Sequence, residues 1–169
     1  IEDLCQIITE LKTANPAARI SVKIPVTSGV ATIAVGVAKA GAHIVTISGF
    51  EGGTGAAREH AKKYVGLPVE IGVTQAHRGL VEAGLRRQVE IWCDGGVRSG
   101  ADVVKLVCLG ADRVGVGTVA LMGVGCISCE QCHLDVCPRG ISTQLRSIDE
   151  AKERGVKLFK PLQGEVEAE

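Results

Sequence analysis

The feature that most constrains this fold is a repeated unit: an apolar helix, a Gly-Ala turn and a strand. Residues 27–49, TSGVATIAVGVAKAGAHIVTISG, and residues 98–118, RSGADVVKLVCLGADRVGVGT, share this order and both carry Ser-Gly before the helix. Serine before a helix and glycine after it are common helix-end residues. A recurring unit of this kind is typical of parallel βα folds, above all the (β/α)8 barrel.

Extended along the chain, the pattern predicts an α/β fold with four strands. We expect strands at 19–24, 42–48, 88–93 and 111–117, helices at 2–14, 28–40, 74–83 and 99–109, and a short helix from Thr118. Strands that alternate with helices pair in parallel. Four strands do not close a barrel, so we predict the second half of a (β/α)8 TIM-type barrel. The alternative is a small open α/β sheet.

Charge and composition argue against several functions. Lysine plus arginine equals aspartate plus glutamate, 19 against 19, and aromatic residues make up 2%. This balance gives no basis for binding nucleic acid or a membrane surface. Glycines and Lys39 interrupt the longest apolar region, which argues against a membrane span. Because seven cysteines occur with no visible secretory leader, we expect a cytoplasmic protein whose thiols stay reduced or bind metal.

Two glycine-rich turns follow the last two predicted strands: DGGVRSG at 94–100 and GVGT at 115–118. In barrels, the loops at this position commonly bind phosphate through backbone N–H groups at a helix N-terminus. Glycine lets the phosphate approach the backbone, and Arg98 adds positive charge. We therefore predict a phosphate site, with ordinary tight turns as the alternative. A third glycine loop, SGFEGGTGAA at 48–57, is either a place of close ligand approach or a flexible connection.

Lys23 lies near the end of an otherwise apolar strand, ISVKI. A lysine there points either into the mouth of the barrel or outward to solvent. Near a flavin, such a lysine could stabilise negative charge on the reduced ring. We favour that role over an exposed lysine at the strand edge.

Four cysteines are clustered near the end of the chain: Cys126, Cys129, Cys132 and Cys137, with Pro138 after the last. Zinc sites usually use Cys-x2-Cys pairs separated by a dozen or more residues. The tight spacing here, ending in Cys-Pro, is the ferredoxin-type pattern for iron–sulfur clusters. Zinc and free thiols are the alternatives. Cys5, Cys93 and Cys108 are scattered, and we expect the last two to be buried as small apolar residues.

In order and spacing, these motifs resemble the FMN-binding synthase domain of glutamate synthase. The resemblance covers roughly residues 1–144, from the lysine strand through the GGTGA loop and the two glycine turns to the GCI…CH…CP segment. It implies a (β/α)8 barrel that carries FMN beside an iron–sulfur cluster. It also implies an oxidoreductase in which electrons pass from the cluster to FMN. The FMN then reduces 2-iminoglutarate, formed from 2-oxoglutarate and ammonia, to L-glutamate.

The resemblance assigns roles to individual residues. Lys23 matches the lysine at the FMN and 2-oxoglutarate site and is the expected catalytic residue. The residues that match the FMN-phosphate turns are Asp94, Gly95, Gly96, Arg98, Gly115, Gly117 and Thr118. Cys126, Cys132 and Cys137 match the family's cluster ligands, which in well-known members hold a 3Fe–4S cluster, and those members lack a cysteine at the place of Cys129. We therefore expect Cys129 to complete a 4Fe–4S cluster; a 3Fe–4S cluster would form if Cys129 is not a ligand.

The resemblance also implies partners: the missing N-terminal half-barrel, an electron donor such as ferredoxin or an NAD(P)H-oxidising subunit, and a glutaminase subunit. The segment PVTSG at 25–29 departs from the family's SEAG-like sequence, which bears on the substrate. One alternative is a non-catalytic FMN and iron–sulfur subunit that relays electrons. Another is a 2-hydroxy-acid oxidase or IMP dehydrogenase-like barrel, although those families carry no cluster segment.

Three segments are expected along the chain. Residues 1–125 would form the half-barrel and residues 126–144 the cluster segment. Residues 145–169 would form a polar extension with a helix.

Overall fold

The computed structural model describes residues 1–52, 60, 64–129, 131–134, 137–142 and 148–153. Within these ranges, helices and strands alternate as the sequence pattern predicts. The elements are α1 (Glu2–Ala14), β1 (Ser21–Pro25), α2 (Val30–Lys39), β2 (Ile44–Ser48), α3 (Val69–Glu82), β3 (Glu90–Asp94), α4 (Gly100–Cys108), β4 (Arg113–Val114), α5 (Thr118–Gly123), a 3-10 turn (Cys132–Leu134) and α6 (Ile148–Glu153).

Two elements differ from their predicted bounds. Helix α3 begins at Val69 rather than at residue 74, because Pro68 serves as its N-cap and its buried positions start at Val69. Strand β4 is two residues long rather than seven. The strand ends at Val114, and Gly115 adds one further hydrogen bond to the sheet, from its N–H to Cys93 O at 2.7 Å.

The four strands form one parallel sheet in the order β1-β2-β3-β4. Lys23, Thr46 and Trp92 lie side by side across the first three strands. One step toward the carboxyl edge on the same face, Pro25, Ser48 and Asp94 are aligned. The α/β class and the parallel pairing are therefore as predicted.

One face of the sheet packs against the helices and holds the apolar core. In β3, buried and partly buried residues alternate, with Ile91 and Cys93 on the buried side. The core that these residues share with β1, β2 and the helices also contains Ile24, Val26, Val30, Val37, Val45, Ile47, Val73, Leu80 and Leu106. Each large aliphatic side chain buried in this way contributes about 1.5–3 kcal/mol to folding.

Gly72 allows α3 to lie very close to the sheet. A Cβ at this position would overlap a methyl of Val26 and lie 2.8 Å from a methyl of Ile47. Protein interiors are too densely packed to absorb such an overlap without movement. This glycine is thus required by packing rather than by backbone conformation.

The opposite face of the sheet is polar. Its base carries a network around Glu90, which accepts hydrogen bonds from Trp92 Nε1 at 2.7 Å and from Arg113 Nε at 3.1 Å. Arg19 Nη2 pairs with the same carboxylate at 2.8 Å. The indole N–H of Trp92, together with Arg19 and Arg113, lowers the pKa of Glu90 to about 2. Barrel interiors are usually filled with branched apolar residues, so this half-barrel has an unusually polar inner face.

The scattered cysteines behave differently from one another. Cys93 is buried as predicted, and burial, together with the charge of Asp94, raises the pKa of its thiol to about 12. Cys108 is exposed, which corrects the prediction that it is buried. It is the last residue of α4, where the helix turns its surface toward solvent.

The chain divides into two compact units. The first comprises residues 1–53 and 59–117, and the second comprises residues 54–58 and 118–169. The first unit holds the complete sheet, and the second holds the clustered cysteines. No helix in the described part of the chain is both long and apolar enough to cross a membrane.

Candidate functional site

Lys23, Ser48 and Asp94 meet at the carboxyl edge of the sheet. Lys23 Nζ donates to Asp94 Oδ2 at 2.5 Å, and Ser48 Oγ donates to Asp94 Oδ1 at 2.7 Å. The Lys23 side chain is 52% exposed and the Asp94 side chain is 28% exposed. Both carboxylate oxygens of Asp94 are therefore hydrogen-bonded, one by a side chain from β1 and the other by a side chain from β2.

Strand register explains why these side chains meet. Ser48 and Asp94 are register partners on β2 and β3, so their side chains leave the same face side by side. Lys23 aligns with Trp92, two residues before Asp94, and lies two strands away. Its long side chain therefore crosses β2 and leans toward the carboxyl edge. That edge is where parallel α/β folds bind their ligands.

The turn after β3 has the backbone expected of a phosphate-binding turn. Gly95 and Gly96 have φ angles of +102° and +74°, which favour glycine. A Cβ at Gly95 would lie 2.9 Å from the backbone nitrogen of Gly52. The turns after β2 and β3 are thus in direct contact. Among the described residues, the N–H groups of Gly95, Gly96 and Val97 have no hydrogen-bond acceptor.

An anionic oxygen already lies against this turn. A Cβ at Gly96 would overlap a carboxylate oxygen of Glu51, and the other oxygen of Glu51 accepts from Arg98 Nη2 at 2.8 Å. Glycine thus leaves a space over the backbone that a negatively charged group enters, with an arginine beside it. Free N–H donors, a glycine cradle and a guanidinium fit a phosphate. The turn therefore fits the FMN phosphate that the resemblance implies, provided that Glu51 moves aside.

The N-terminus of α4 contributes less than the sequence suggests. Ser99 forms a capping box with Asp102. The hydroxyl of Ser99 donates to the Asp102 carboxylate at 2.9 Å, and this hydrogen bond, followed by the one from the Arg98 N–H, lowers the pKa of Asp102. The carboxylate also accepts from the N–H groups of Arg98 and Ser99 at 3.2 and 3.0 Å. These two N–H groups are consequently occupied. The donors with no acceptor in the described part of the chain lie earlier in the turn, at residues 95–97.

A cleft of about 230 Å³ opens beside the turn. Lys105 lines it and bridges Glu70 on α3, at 2.8 Å, and Asp102 at 3.4 Å. The other residues that line the cleft include Gly49, Phe50, Glu51, Pro68, Val69, Gly95, Gly96 and Val97. Gly95, Gly96 and Val97, whose N–H groups have no acceptor within the described ranges, therefore border an open space.

In the second predicted turn, residues 115–118, Gly115 lies against Asp94. Gly115 donates its N–H to Cys93 O at 2.7 Å, and a Cβ on Gly115 would lie 3.2 Å from the Cβ of Asp94. This glycine therefore makes room for Asp94. Gly117 has open space around its Cα, and Thr118 begins α5 in the second unit. In the loop at 48–57, residues 53–57 lie outside the described residues.

The four clustered cysteines are all free thiols. Ser128 N–H donates to Cys126 Sγ at 3.4 Å. Desolvation raises the pKa of Cys137, but backbone N–H groups of Ser142, Arg139 and Ile141 outweigh it and lower that pKa below its usual value. Within the described residues, however, no three cysteine, histidine or carboxylate side chains are close enough to hold a metal ion. The described geometry does not form the predicted cluster site, so the cluster ligands remain a prediction.

Sequence reasoning missed Ser48 and Glu51 as site residues. Ser48 ends β2 and Glu51 lies in the loop that follows, where the glycines are the more prominent motif. For Ser48, a signal was present: it ends a strand next to the one that Asp94 ends. Glu51 carries no such signal, since its contact with Arg98 spans 47 residues.

Comparison with known proteins places the chain in a family. A family model described as a conserved region in glutamate synthase matches residues 1–167. The chain is 50% identical over 144 residues to the ferredoxin-dependent glutamate synthase of Cyanidium caldarium, covering 85% of this chain and 9% of that protein. It is 44% identical over 170 residues to the glutamate synthase [NADPH] large chain of Azospirillum brasilense, covering 98% of this chain and 11% of the relative. The chain thus spans about a tenth of these relatives.

Solved structures support the barrel. A double mutant of flavocytochrome b2 with pyruvate bound matches with a TM-score of 0.52 and 25% identity, over 67% of this chain and 26% of the other. Another flavocytochrome b2 mutant matches with a TM-score of 0.55 and 22% identity, over 89% of this chain and 34% of that TIM-barrel protein. The predicted partial TIM barrel is therefore confirmed. The chain belongs to the glutamate synthase family of oxidoreductase enzymes, as the order of its motifs predicts.

Proposed function

We propose that this chain forms the flavin-binding half of a glutamate synthase barrel, which reduces 2-iminoglutarate, made from 2-oxoglutarate and ammonia, to L-glutamate. The observation that carries the proposal is the cluster of Lys23 and the glycine turn at 94–98 on one edge of the sheet. The identity of about 50% to a ferredoxin-dependent glutamate synthase supports it. The flavin would be FMN, because the turn offers a phosphate cradle.

Different residues of the first unit would bind different parts of FMN. The N–H groups of Gly95, Gly96 and Val97, with Arg98, would hold the phosphate, and Gly115 and Gly117 would keep the neighbouring turn clear of side chains. Lys23 would place its positive charge beside the flavin ring. When bound, FMN supplies hydride transfer to the imine carbon. The protein's share is to orient that ring and to keep a cation at the strand edge.

The cysteine segment is a separate part of the proposal. Cys126, Cys129, Cys132 and Cys137 would hold an iron–sulfur cluster, with Cys129 making it a 4Fe–4S cluster. The spacing, the free thiols and the backbone donors around Cys137 support this assignment. Because three such side chains do not converge in the described structure, we derive no electron path through them.

The complete enzyme needs more than this chain. Within the described residues the sheet has four strands, so the other barrel strands would come from elsewhere in the protein or from a partner. Electrons would come from ferredoxin or an NAD(P)H-oxidising subunit, and ammonia from a glutaminase. Free thiols fit a cytoplasmic setting.

The test uses the full-length natural protein. Extracted flavin should be FMN, and the protein should form glutamate from 2-oxoglutarate and ammonium when a reduced donor is supplied. Oxidation of a 2-hydroxy acid without glutamate formation would favour the oxidase alternative instead. Bound flavin and iron with donor oxidation but no glutamate would indicate an electron-relay subunit. A protein free of flavin would overturn the proposal.

A further inference from the structure

Asp94 is the first residue of the predicted phosphate turn, but both oxygens of its carboxylate are hydrogen-bonded to other side chains. Oδ2 accepts from Lys23 and Oδ1 accepts from Ser48, so neither oxygen is unpartnered. A carboxylate would also repel a phosphate. The N–H donors that have no acceptor among the described residues begin one residue later, at Gly95.

The surrounding glycines hold the Asp94 side chain in this arrangement. A Cβ at Gly52 would lie 2.6 Å from Ser48 Oγ and 3.1 Å from Asp94 Oδ1. On another side, a Cβ at Gly115 would lie 3.2 Å from Asp94 Cβ. Two turns therefore close over the Ser48–Asp94 pair, and neither tolerates a larger residue there without displacing it.

Lys23 depends on this pair for its position. Its side chain has several rotatable bonds and is half exposed, so without a partner its ammonium would sample many positions in solvent. Asp94 gives it one position, at the carboxyl edge and two strands away from its own backbone. The hydroxyl of Ser48 in turn fixes the carboxylate that Lys23 contacts.

We propose that Asp94 and Ser48 are positioning residues that act on the flavin through Lys23, and that Asp94 is not a ligand of the phosphate. This inference rests on the proposed function, since it assumes that a flavin binds at this edge. It assigns Ser48 a role that the motifs do not give it. It also removes Asp94 from the phosphate ligands predicted from sequence.

The first test compares FMN with riboflavin, which lacks the phosphate, in the full-length protein. Asp94→Asn should weaken binding of both flavins by a similar factor, on the order of tenfold for loss of a charge-assisted hydrogen bond. The ratio of their dissociation constants should stay within about twofold of the wild-type ratio. A ratio that changes by about tenfold or more would mean that Asp94 contacts the phosphate, and would overturn the inference.

The second test is a double-mutant cycle that combines Ser48→Ala, which changes no charge, with Lys23→Met. Ser48→Ala should lower the flavin midpoint potential in the wild-type background, because Lys23 loses its fixed position. It should have no further effect in a Lys23→Met background, since the residue through which it acts is absent. Equal effects of Ser48→Ala in both backgrounds would overturn the inference. This cycle also decides the matter if Asp94→Asn fails to fold.

Ser21→Ala is the matched control. Ser21 makes a similar hydroxyl contact, 3.0 Å from Thr46 Oγ1, on the same face of the sheet and without contact to Asp94. It should leave the potential and both affinities unchanged. Wild-type protein that binds neither flavin would overturn the proposed function together with the inference. Wild-type binding with additive Ser48 and Lys23 effects would overturn the inference alone.

Discussion

Glu51 provides a direct test of the phosphate cradle. Its carboxylate lies over Gly96 and pairs with Arg98 at 2.8 Å, so a phosphate that binds this turn must displace it. Replacing Glu51 by Gln keeps the size of the side chain and removes the competing negative charge. We therefore expect Glu51→Gln to bind FMN more tightly than wild type.

The size of the effect follows from two contributions. The Arg98 and Glu51 side chains are 76% and 38% exposed, and breaking so exposed a pair costs only about 0.2–1 kcal/mol. Repulsion between a carboxylate and a phosphate charge about 4 Å away adds about 1 kcal/mol in a water-like environment. Their sum is about 1–2 kcal/mol, and tenfold in affinity corresponds to about 1.4 kcal/mol. The expected gain is therefore about tenfold.

Flavin titration of the flavin-free full-length protein measures this gain by fluorescence quenching. Riboflavin serves as the internal control because it has no phosphate, so its affinity should not change. Glu70→Gln is the matched variant: Glu70 lines the same cleft but pairs with Lys105 instead of Arg98, and FMN affinity should change little. Unchanged FMN affinity in Glu51→Gln, or an equal gain for riboflavin, would refute the phosphate assignment of this turn.

Three further predictions concern packing, pH and the cluster. Gly72→Ala should destabilise the protein by about 1–3 kcal/mol through overpacking, whereas Gly36→Ala, whose Cβ has 3.4 Å to its nearest neighbour, should stabilise its helix by about 0.5–1 kcal/mol; urea unfolding of both variants checks the contrast. Because the folded-state pKa of Glu90 is lowered from 4.5 to about 2, its stabilisation is complete above pH 4.5 and is lost as the pH falls toward 2. The stability difference between wild type and Glu90→Gln should shrink over that window in acid-unfolding curves, and a constant difference would contradict it. Cys129→Ser should reduce iron from about four to about three per chain and produce a 3Fe–4S signal in oxidised-state EPR; unchanged iron would show that Cys129 is not a ligand.

The fold was largely accessible from the sequence because its signals are local. Glycine after α2, α3 and α4 and apolar runs in each strand identified the alternating elements and their parallel pairing. Strand β4 was overestimated because Val114 and Val116 continue an apolar pattern, although the strand ends at Val114, with one further hydrogen bond to β3 from the N–H of Gly115. Helix α3 was placed too late because Glu70 and Gly72 obscure its first turn, in which Gly72 is required by contact with Val26.

Only part of the site could be predicted from the sequence, because its contacts join residues that are far apart in the chain. Lys23 and the glycine turn could be proposed separately, yet their link through Asp94 spans 71 residues. No local pattern shows that an aspartate at the start of a glycine turn will point toward a lysine two strands away. That information lies in the register, which depends on how the whole sheet packs.

The polar inner face carries two groups of charged and polar side chains, and the strand register sets the position of each group. On this face, Glu90 with its three partners occupies the base of the sheet, while Asp94 with Lys23 and Ser48 occupies the carboxyl edge. In each group a carboxylate on β3 gathers donors from neighbouring elements, so buried charge in a closed barrel would already be paired. The two groups differ in their position on the sheet. The Asp94 group adjoins the glycine turn at the carboxyl edge, whereas the Glu90 group lies at the base. A lysine held at the carboxyl edge by one carboxylate is ordered before any ligand binds, and under the proposed function this would be the preorganisation that electrostatic catalysis requires.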